Sequence, residues 1–127
     1  MPSLKLISWK RLERMLNDSQ IEKLKSNWGA RAETLACYAE VRLFDPCSSW
    51  QCFIIAINPN DEDEINCIIS TNLKASPEVV LWTLREVYSL FNSQGEGVEV
   101  DQSYRPIRAA ELFKKLSELT IYEPNRH

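Results

Sequence analysis

The sequence predicts an α+β fold, a mainly antiparallel sheet of three to four strands with helices packed against it. Three observations lead there. Between residues 35 and 70, strand-like apolar runs follow one another across short turns, leaving no room for the crossovers that parallel strands require. On either side, apolar residues recur at three- and four-residue steps, the period of a helical stripe. Finally, 127 residues, 44% apolar and 26% charged, have the size and balance of one globular domain, residues 1–127. Such a domain buries roughly two-thirds of its unfolded surface and needs no metal or disulfide staple.

Residues 1–31 form a basic helical segment in this reading. Trp9, Leu12, Met15 and Leu16 share one stripe of a helix from Ser8 to about Asn17. A second helix is expected from Ser19, because Ser19 and Glu22 have capping-box spacing. Ile21, Leu24 and Trp28 form its apolar face, and Gly29 ends it. Two helices or one bent helix fit equally well.

The first strand runs from Leu35 to Phe44, with Cys37, Ala39, Val41 and Leu43 facing one way and Tyr38, Glu40 and Arg42 the other; Asp45-Pro46 breaks it. Trp50 to Ile57 is almost unbroken in apolar character, as a central strand covered on both faces should be. Asn58-Pro59-Asn60-Asp61 is a turn by composition, and Glu64 to Ser70 is the third strand, with Ile65, Cys67 and Ile69 on one side.

The strongest helical pattern follows. Ser76 caps it, Pro77 suits its first turn and Glu78 complements its dipole. Val80, Leu81, Leu84, Val87, Tyr88 and Phe91 make a broad stripe able to lie across a sheet. Trp82 falls about 100° from Leu81 on that helical wheel, on the side of Arg85 and Ser89. Val98 to Asp101 is expected as a short fourth strand, and Pro106 opens a last helix with Leu112, Phe113, Leu116 and Leu119 inward. The polar tail at 122–127 is expected to fray.

The chemistry-bearing residues point away from catalysis. The only histidine is His127, the last residue, so neither a Cys–His nor a Ser–His–Asp arrangement has its base. Cys37, Cys47, Cys52 and Cys67 follow no zinc spacing, and reduced thiols are expected, with Cys47 beside a turn the most accessible. Asp61-Glu62-Asp63-Glu64 lacks the alternating ligands and sharp glycine turn of a calcium loop, and fits a solvated hairpin tip. No Gly-rich phosphate loop occurs. The expectation is no catalytic residue, no cofactor and no metal. Glu96, Glu99 and Asp101 near Arg105 and Arg108 fit mutual surface pairing; an enzyme built on Glu99 and Asp101 would need a cleft with a raised pKa.

Net charge is −3 but uneven: residues 1–32 carry seven Lys/Arg and three acids, whereas residues 33–127 carry eight and fifteen. That is too weakly basic for a protein that wraps DNA and too weakly acidic for a DNA mimic. No signal-peptide core or membrane-length apolar run is present, so a cytoplasmic location is expected, or delivery to a host cell through a signal not legible here.

Several segments together resemble the bacterial DUF2958 domain family, whose function is undefined. They are Leu4-Lys5-Leu6-Ile7-Ser8, Val41-Arg42-Leu43-Phe44-Asp45-Pro46, Trp50-Gln51-Cys52-Phe53, Leu81-Trp82-Thr83-Leu84-Arg85-Glu86-Val87 and Gly97-Val98-Glu99-Val100-Asp101. The likeness spans about residues 4–112. It departs from the family at Cys67-Ile68-Ile69-Ser70-Thr71-Asn72, where members tend to be Gly-rich, and in a longer, more basic stretch before the first strand. It implies an α+β fold and a bacterial or mobile-element origin, and assigns no catalytic residue.

The functional expectation is a non-enzymatic protein-binding module, a bacterial regulator or inhibitor of a partner enzyme, for instance an effector acting on host ubiquitin. Trp82, Arg85, Lys10, Arg11 and Arg14 are the docking candidates, since Trp and Arg concentrate interface energy. A two-fold homodimer through the Trp82 helix face is a related expectation. The alternative is a mobile-element factor acting on nucleic acid or its enzymes through the basic patch at residues 5–31, set against the charge argument that disfavours nucleic acid.

Overall fold

A computed structural model describes residues 16–29, 35–45, 49–70, 77–83, 86 and 99–122, with the backbone alone at 62–63 and 119–122. The element order is α1 (Asp18–Asn27), β1 (Tyr38–Ala39), β2 (Val41–Phe44), β3 (Gln51–Asn58), β4 (Asp61–Ser70), β5 (Glu78–Thr83), β6 (Glu99–Val100), β7 (Ile107–Arg108) and α2 (Ala109–Tyr122). Five strands form one antiparallel sheet in the order β5-β4-β3-β2-β6, and β1 pairs with β7 in a separate two-stranded piece. The α+β class and the β2-β3-β4 meander agree with the sequence; beyond the strands expected, the sheet gains β5 at one edge. Among the described residues no helix is long and apolar enough to cross a membrane.

α1 begins two residues earlier than expected. Asn17, not Ser19, is the N-cap: its Oδ1 accepts from the Gln20 amide at 2.8 Å, and Gln20 Oε1 accepts from the Asn17 amide at 3.0 Å. The reciprocal box satisfies two amides that the first helical turn leaves without partners. Ser19 sits inside that turn. Leu24 is the helix's fully buried residue, with Ile21 half-buried against the same core cluster; Trp28, expected on that face too, packs instead against the cluster on the other face of the sheet. The earlier helix proposed over Ser8–Asn17 lies outside the described residues except at its end, where Leu16 sits in the core and Asn17 is the N-cap of α1.

The central strand β3 is buried from Cys52 to Ile57, on both faces of the sheet. One face carries Leu16, Leu24, Val41, Leu43, Cys52, Ile54, Ile57, Ile65, Cys67 and Ile69. The other carries Ala39, Phe53, Ile55, Ala56, Ile68, Ala109 and Leu112. α1 thus supplies Leu24 to the first cluster and α2 supplies Ala109 and Leu112 to the second. Ile55 and Ala56 fall in the same cluster, which strict alternation forbids. A bulge explains it: Ile54 pairs with Cys67 and Ala56 with Asn66, leaving Ile55 without a partner on β4. Ile57 is thereby returned to the face of Ile54.

The bulge is tied down from outside the sheet. Asn27, at the end of α1, donates from Nδ2 to the Ile55 carbonyl at 2.9 Å. Asn27→Ala should therefore cost about 1–3 kcal/mol, the usual penalty for a buried carbonyl deprived of its donor. Urea unfolding of the two proteins checks this; a difference below about 0.5 kcal/mol would mean that water takes over the bond.

The strand expected over Leu35–Phe44 is two. Leu35 and Ala36 form a short 3₁₀ turn, and the chain breaks again at Glu40. Ala39 packs in the second cluster whereas Val41 and Leu43 pack in the first, so the chain changes faces between them. The Glu40 amide still donates to the Ile54 carbonyl at 3.0 Å, at the foot of the β3 bulge. The hairpin at Asn58–Asp61 agrees with the turn composition. Asn58 Oδ1 accepts from the Asn60 amide at 2.9 Å, and Asn58 Nδ2 donates to Glu64 at 2.8 Å. Asp61, expected at a solvated tip, is exposed beside the Pro59–Asn60 turn, where it pairs with Asn58 and opens β4.

The largest correction concerns Glu78–Thr83, expected as the first half of the strongest helix. It is the outer strand β5, pairing Ile69↔Glu78, Cys67↔Val80 and Ile65↔Trp82. The physical reason is the neighbouring strand. Residues 65–70 of β4 are all buried, and their outward backbone groups need a ladder partner. Val79, Val80 and Trp82 suit a pleated surface as well as they suit a helix. Ser76, the expected cap, lies outside the described residues; helix-start chemistry is present at Thr83, whose Oγ1 accepts from the Glu86 amide at 3.0 Å while Glu86 Oε1 accepts from the Thr83 amide at 2.9 Å. The last helix likewise starts at Ala109, not Pro106, because Ile107 and Arg108 first pair with Ala39 and Tyr38. Of the strand predicted over Val98–Asp101, Glu99–Val100 is present as β6; Asp101 follows it and Val98 lies outside the described residues.

Candidate functional site: the β5 edge and the Arg42 corner

Two surfaces stand out, at opposite edges of the five-stranded sheet. At one edge is β5. Val80 and Trp82 turn toward the first core cluster and are half-buried against it. Val79 and Leu81, on the opposite face, are 40% and 44% exposed. The far side of β5 has no paired strand among the described residues. An edge of this kind presents unpaired amides and carbonyls together with apolar side chains, a template for one more strand.

At the other edge β6 pairs with β2, and Arg42 is the fastener. Its Nη1 donates to Asp101 Oδ2 at 2.8 Å, its Nε donates to Gln51 Oε1 at 2.8 Å, and the guanidinium lies 4.9 Å from the centre of the Phe44 ring. Asp101 also accepts from the Ser103 amide at 3.0 Å and hydroxyl at 2.8 Å. The Ser103 hydroxyl bond, with Arg42 adding to it, holds the Asp101 carboxyl below its ordinary range against a smaller opposing effect of burial. Arg42, Phe44, Asp45, Ser49, Trp50 and Gln51 line an open cleft of about 230 Å³ there. Its guanidinium is already committed on two sides, so it serves as a fixed wall.

These contacts correct the expected pairing of Asp101 with Arg105 and Arg108. Arg108 instead donates to the Ala36 carbonyl at 3.1 Å and stacks 5.2 Å from the Tyr38 ring centre. The carboxylate-enzyme reading needed a raised pKa at this corner, and Asp101 moves the other way. Glu40 is the carboxyl that burial pushes up, with Lys23 drawing it part of the way back. Close to it Tyr104 donates its hydroxyl to the Ala39 carbonyl at 2.8 Å and rests its ring 5.8 Å from that of Phe53. Burial first, then the Glu40 charge, pushes the Tyr104 phenol up to about 12. Of the thiols, Cys52 and Cys67 are fully buried; burial and a hydrogen bond with Cys67 keep Cys52 protonated, far from a nucleophile's condition. Cys47 lies outside the described residues.

Of the docking candidates, Trp82 is placed in β5, sharing a strand face with Val80 and not a helix face with Arg85. The helix-face geometry proposed for a homodimer therefore does not exist at Leu81-Trp82. Arg85, Lys10, Arg11 and Arg14 lie outside the described residues. The sequence reading left Val79, Asn27 and Tyr104 unassigned, set Leu81 in the core stripe of a helix and gave Glu40 only a strand face. The alternation in Glu78-Val79-Val80-Leu81-Trp82-Thr83 was the available signal for Val79 and Leu81. No family model, curated protein or solved structure matches the chain in comparisons with known proteins, so the likeness to the DUF2958 family rests on the motifs quoted above.

Proposed function

We propose that this chain is a non-enzymatic protein-binding module, a regulator or inhibitor of a partner enzyme, and that it docks through the β5 edge. The observation that carries this reading is a six-residue outer strand whose Val79 and Leu81 remain 40% and 44% exposed. Single exposed apolar side chains are ordinary on a protein surface. Two on one face of an outer strand, whose far side has no paired strand among the described residues, offer both backbone bonds and an apolar surface for strand addition. Trp82, half-buried on the reverse face, packs against the first core cluster and anchors β5 to it.

A Val79→Lys/Leu81→Lys double variant tests the reading, because edge lysines are a common natural means of blocking strand addition. Both side chains are exposed, so the variant should fold, with a far-ultraviolet spectrum like the parent's. Affinity capture from the native cytosol should recover a stoichiometric protein with the parent and lose it, by at least about tenfold, with the variant; a tenfold loss needs only about 1.4 kcal/mol. A Lys115→Glu control on the exposed side of α2 should leave capture intact. Equal recovery by parent and double variant would place docking elsewhere.

A further inference from the structure

We infer that the strand added to β5 is an extended segment of a partner protein with an apolar-x-apolar centre flanked by Lys or Arg; this rests on the β5 docking reading. The charge distribution along this half of the sheet selects the partner. Between residues 43 and 86 the chain holds two basic residues, Lys74 and Arg85, against Asp45, Asp61, Glu62, Asp63, Glu64, Glu78 and Glu86. Neither β4 nor β5 contains a Lys or Arg. Carboxylates mark both ends of the edge strand. Glu78, exposed, is its first residue; at the far end Glu64 pairs with Thr83, and Glu86, exposed, hydrogen-bonds that same threonine.

The geometry then sets the spacing. Residues directly across an antiparallel ladder point to the same face, about 4.5–5.5 Å apart at Cβ. Side chains opposite Val79 and Leu81 are therefore apolar and two positions apart. Those opposite Glu78 and Thr83 lie next to carboxylates, where a cation is attracted and an anion repelled. A second copy of this chain fits less well. Antiparallel β5–β5 pairing would bring Glu78 of each copy alongside the Glu64 and Glu86 end of the other, setting like charges together at both ends.

The test is a titration of the isotope-labelled full chain with three capped hexapeptides, Lys-Thr-Val-Thr-Val-Lys, its Gln-flanked form and its Glu-flanked form, followed by backbone amide NMR. The expected result is saturable shifts at Val79, Leu81 and Thr83, with the Lys-flanked peptide binding about tenfold more tightly than the Glu-flanked one, since exposed pairs contribute only about 0.2–1 kcal/mol each. That preference should shrink as salt shortens the Debye length. In Glu78→Lys the discrimination between the peptides should fall or reverse. Equal binding of all three peptides to β5 would overturn the charge inference and leave the docking edge standing. Shifts at β5 from no peptide would overturn both. Shifts at β5 that grow with protein concentration alone would assign the edge to a second copy and overturn the inference.

Discussion

Ile54→Ala should lower the unfolding free energy by about 2–5 kcal/mol, the range for truncating a large aliphatic side chain in a close-packed core. Ile54 is fully buried in the central strand, paired with Val41 on one side and Cys67 on the other. Its cluster also contains Leu24 from α1. A cavity there has β-sheet backbone on one side and a helix on the other. Neither can close on it without breaking ladder bonds, so the cost should fall in the upper half of the range. Denaturant unfolding followed by tryptophan fluorescence measures it, with Val79→Ala as the reference. Val79 is 40% exposed, and its truncation should change stability by no more than about 0.5 kcal/mol. Similar losses from the two substitutions would contradict the burial assigned to β3.

The second large effect depends on pH. The Tyr104 phenol is pushed up to about 12 in the fold from an ordinary value of 10.0. The folded state therefore keeps a proton that the unfolded chain releases. The stabilisation is fully present below pH 10 and is lost as pH rises through about 12. A two-unit difference corresponds to at most about 2–3 kcal/mol, less whatever solvent screens around a half-buried ring. Tyr104→Phe removes the bond to the Ala39 carbonyl, costing about 1 kcal/mol at neutral pH, and removes the titration as well. Unfolding curves at pH 8, 10, 11 and 12 should show the parent ahead at the first point and the gap closing or reversing by the last. Parallel curves would mean that the phenol is not held by burial.

How far the molecule was legible depends on how local each signal was. The Leu24 face of α1, the central strand through Cys52–Ile57 and the turn after Asn58 follow from periodicity and turn chemistry within a few residues. Element ends were less secure. Asn17 and Ser19 are both good caps, and only the return bond from Gln20 decides between them. The candidate site was harder still. Val79 and Leu81 belong to a segment whose apolar residues satisfy a helical wheel and a strand alternation together. On the helical reading Leu81 belonged to the core stripe and Trp82 to the surface. On β5 Leu81 is exposed and Trp82 is half-buried.

The class of fold, the antiparallel meander and the identity of most core residues follow from periodicity alone, because burial of apolar side chains at period 2 or 3.6 is written into composition and spacing. Composition likewise puts imidazole only at position 127. Long-range packing, by contrast, makes Glu78–Thr83 a strand, turns the chain from one face to the other at Glu40 and rephases β3 through a bulge at Ile55. Each is settled by a partner distant in the chain: β4 in need of a ladder, the β3 carbonyl at Ile54, and Asn27 reaching Ile55 from α1. Backbone hydrogen bonds must be satisfied wherever the chain is buried, and which strand satisfies them is a property of the packed molecule rather than of any local stretch of residues.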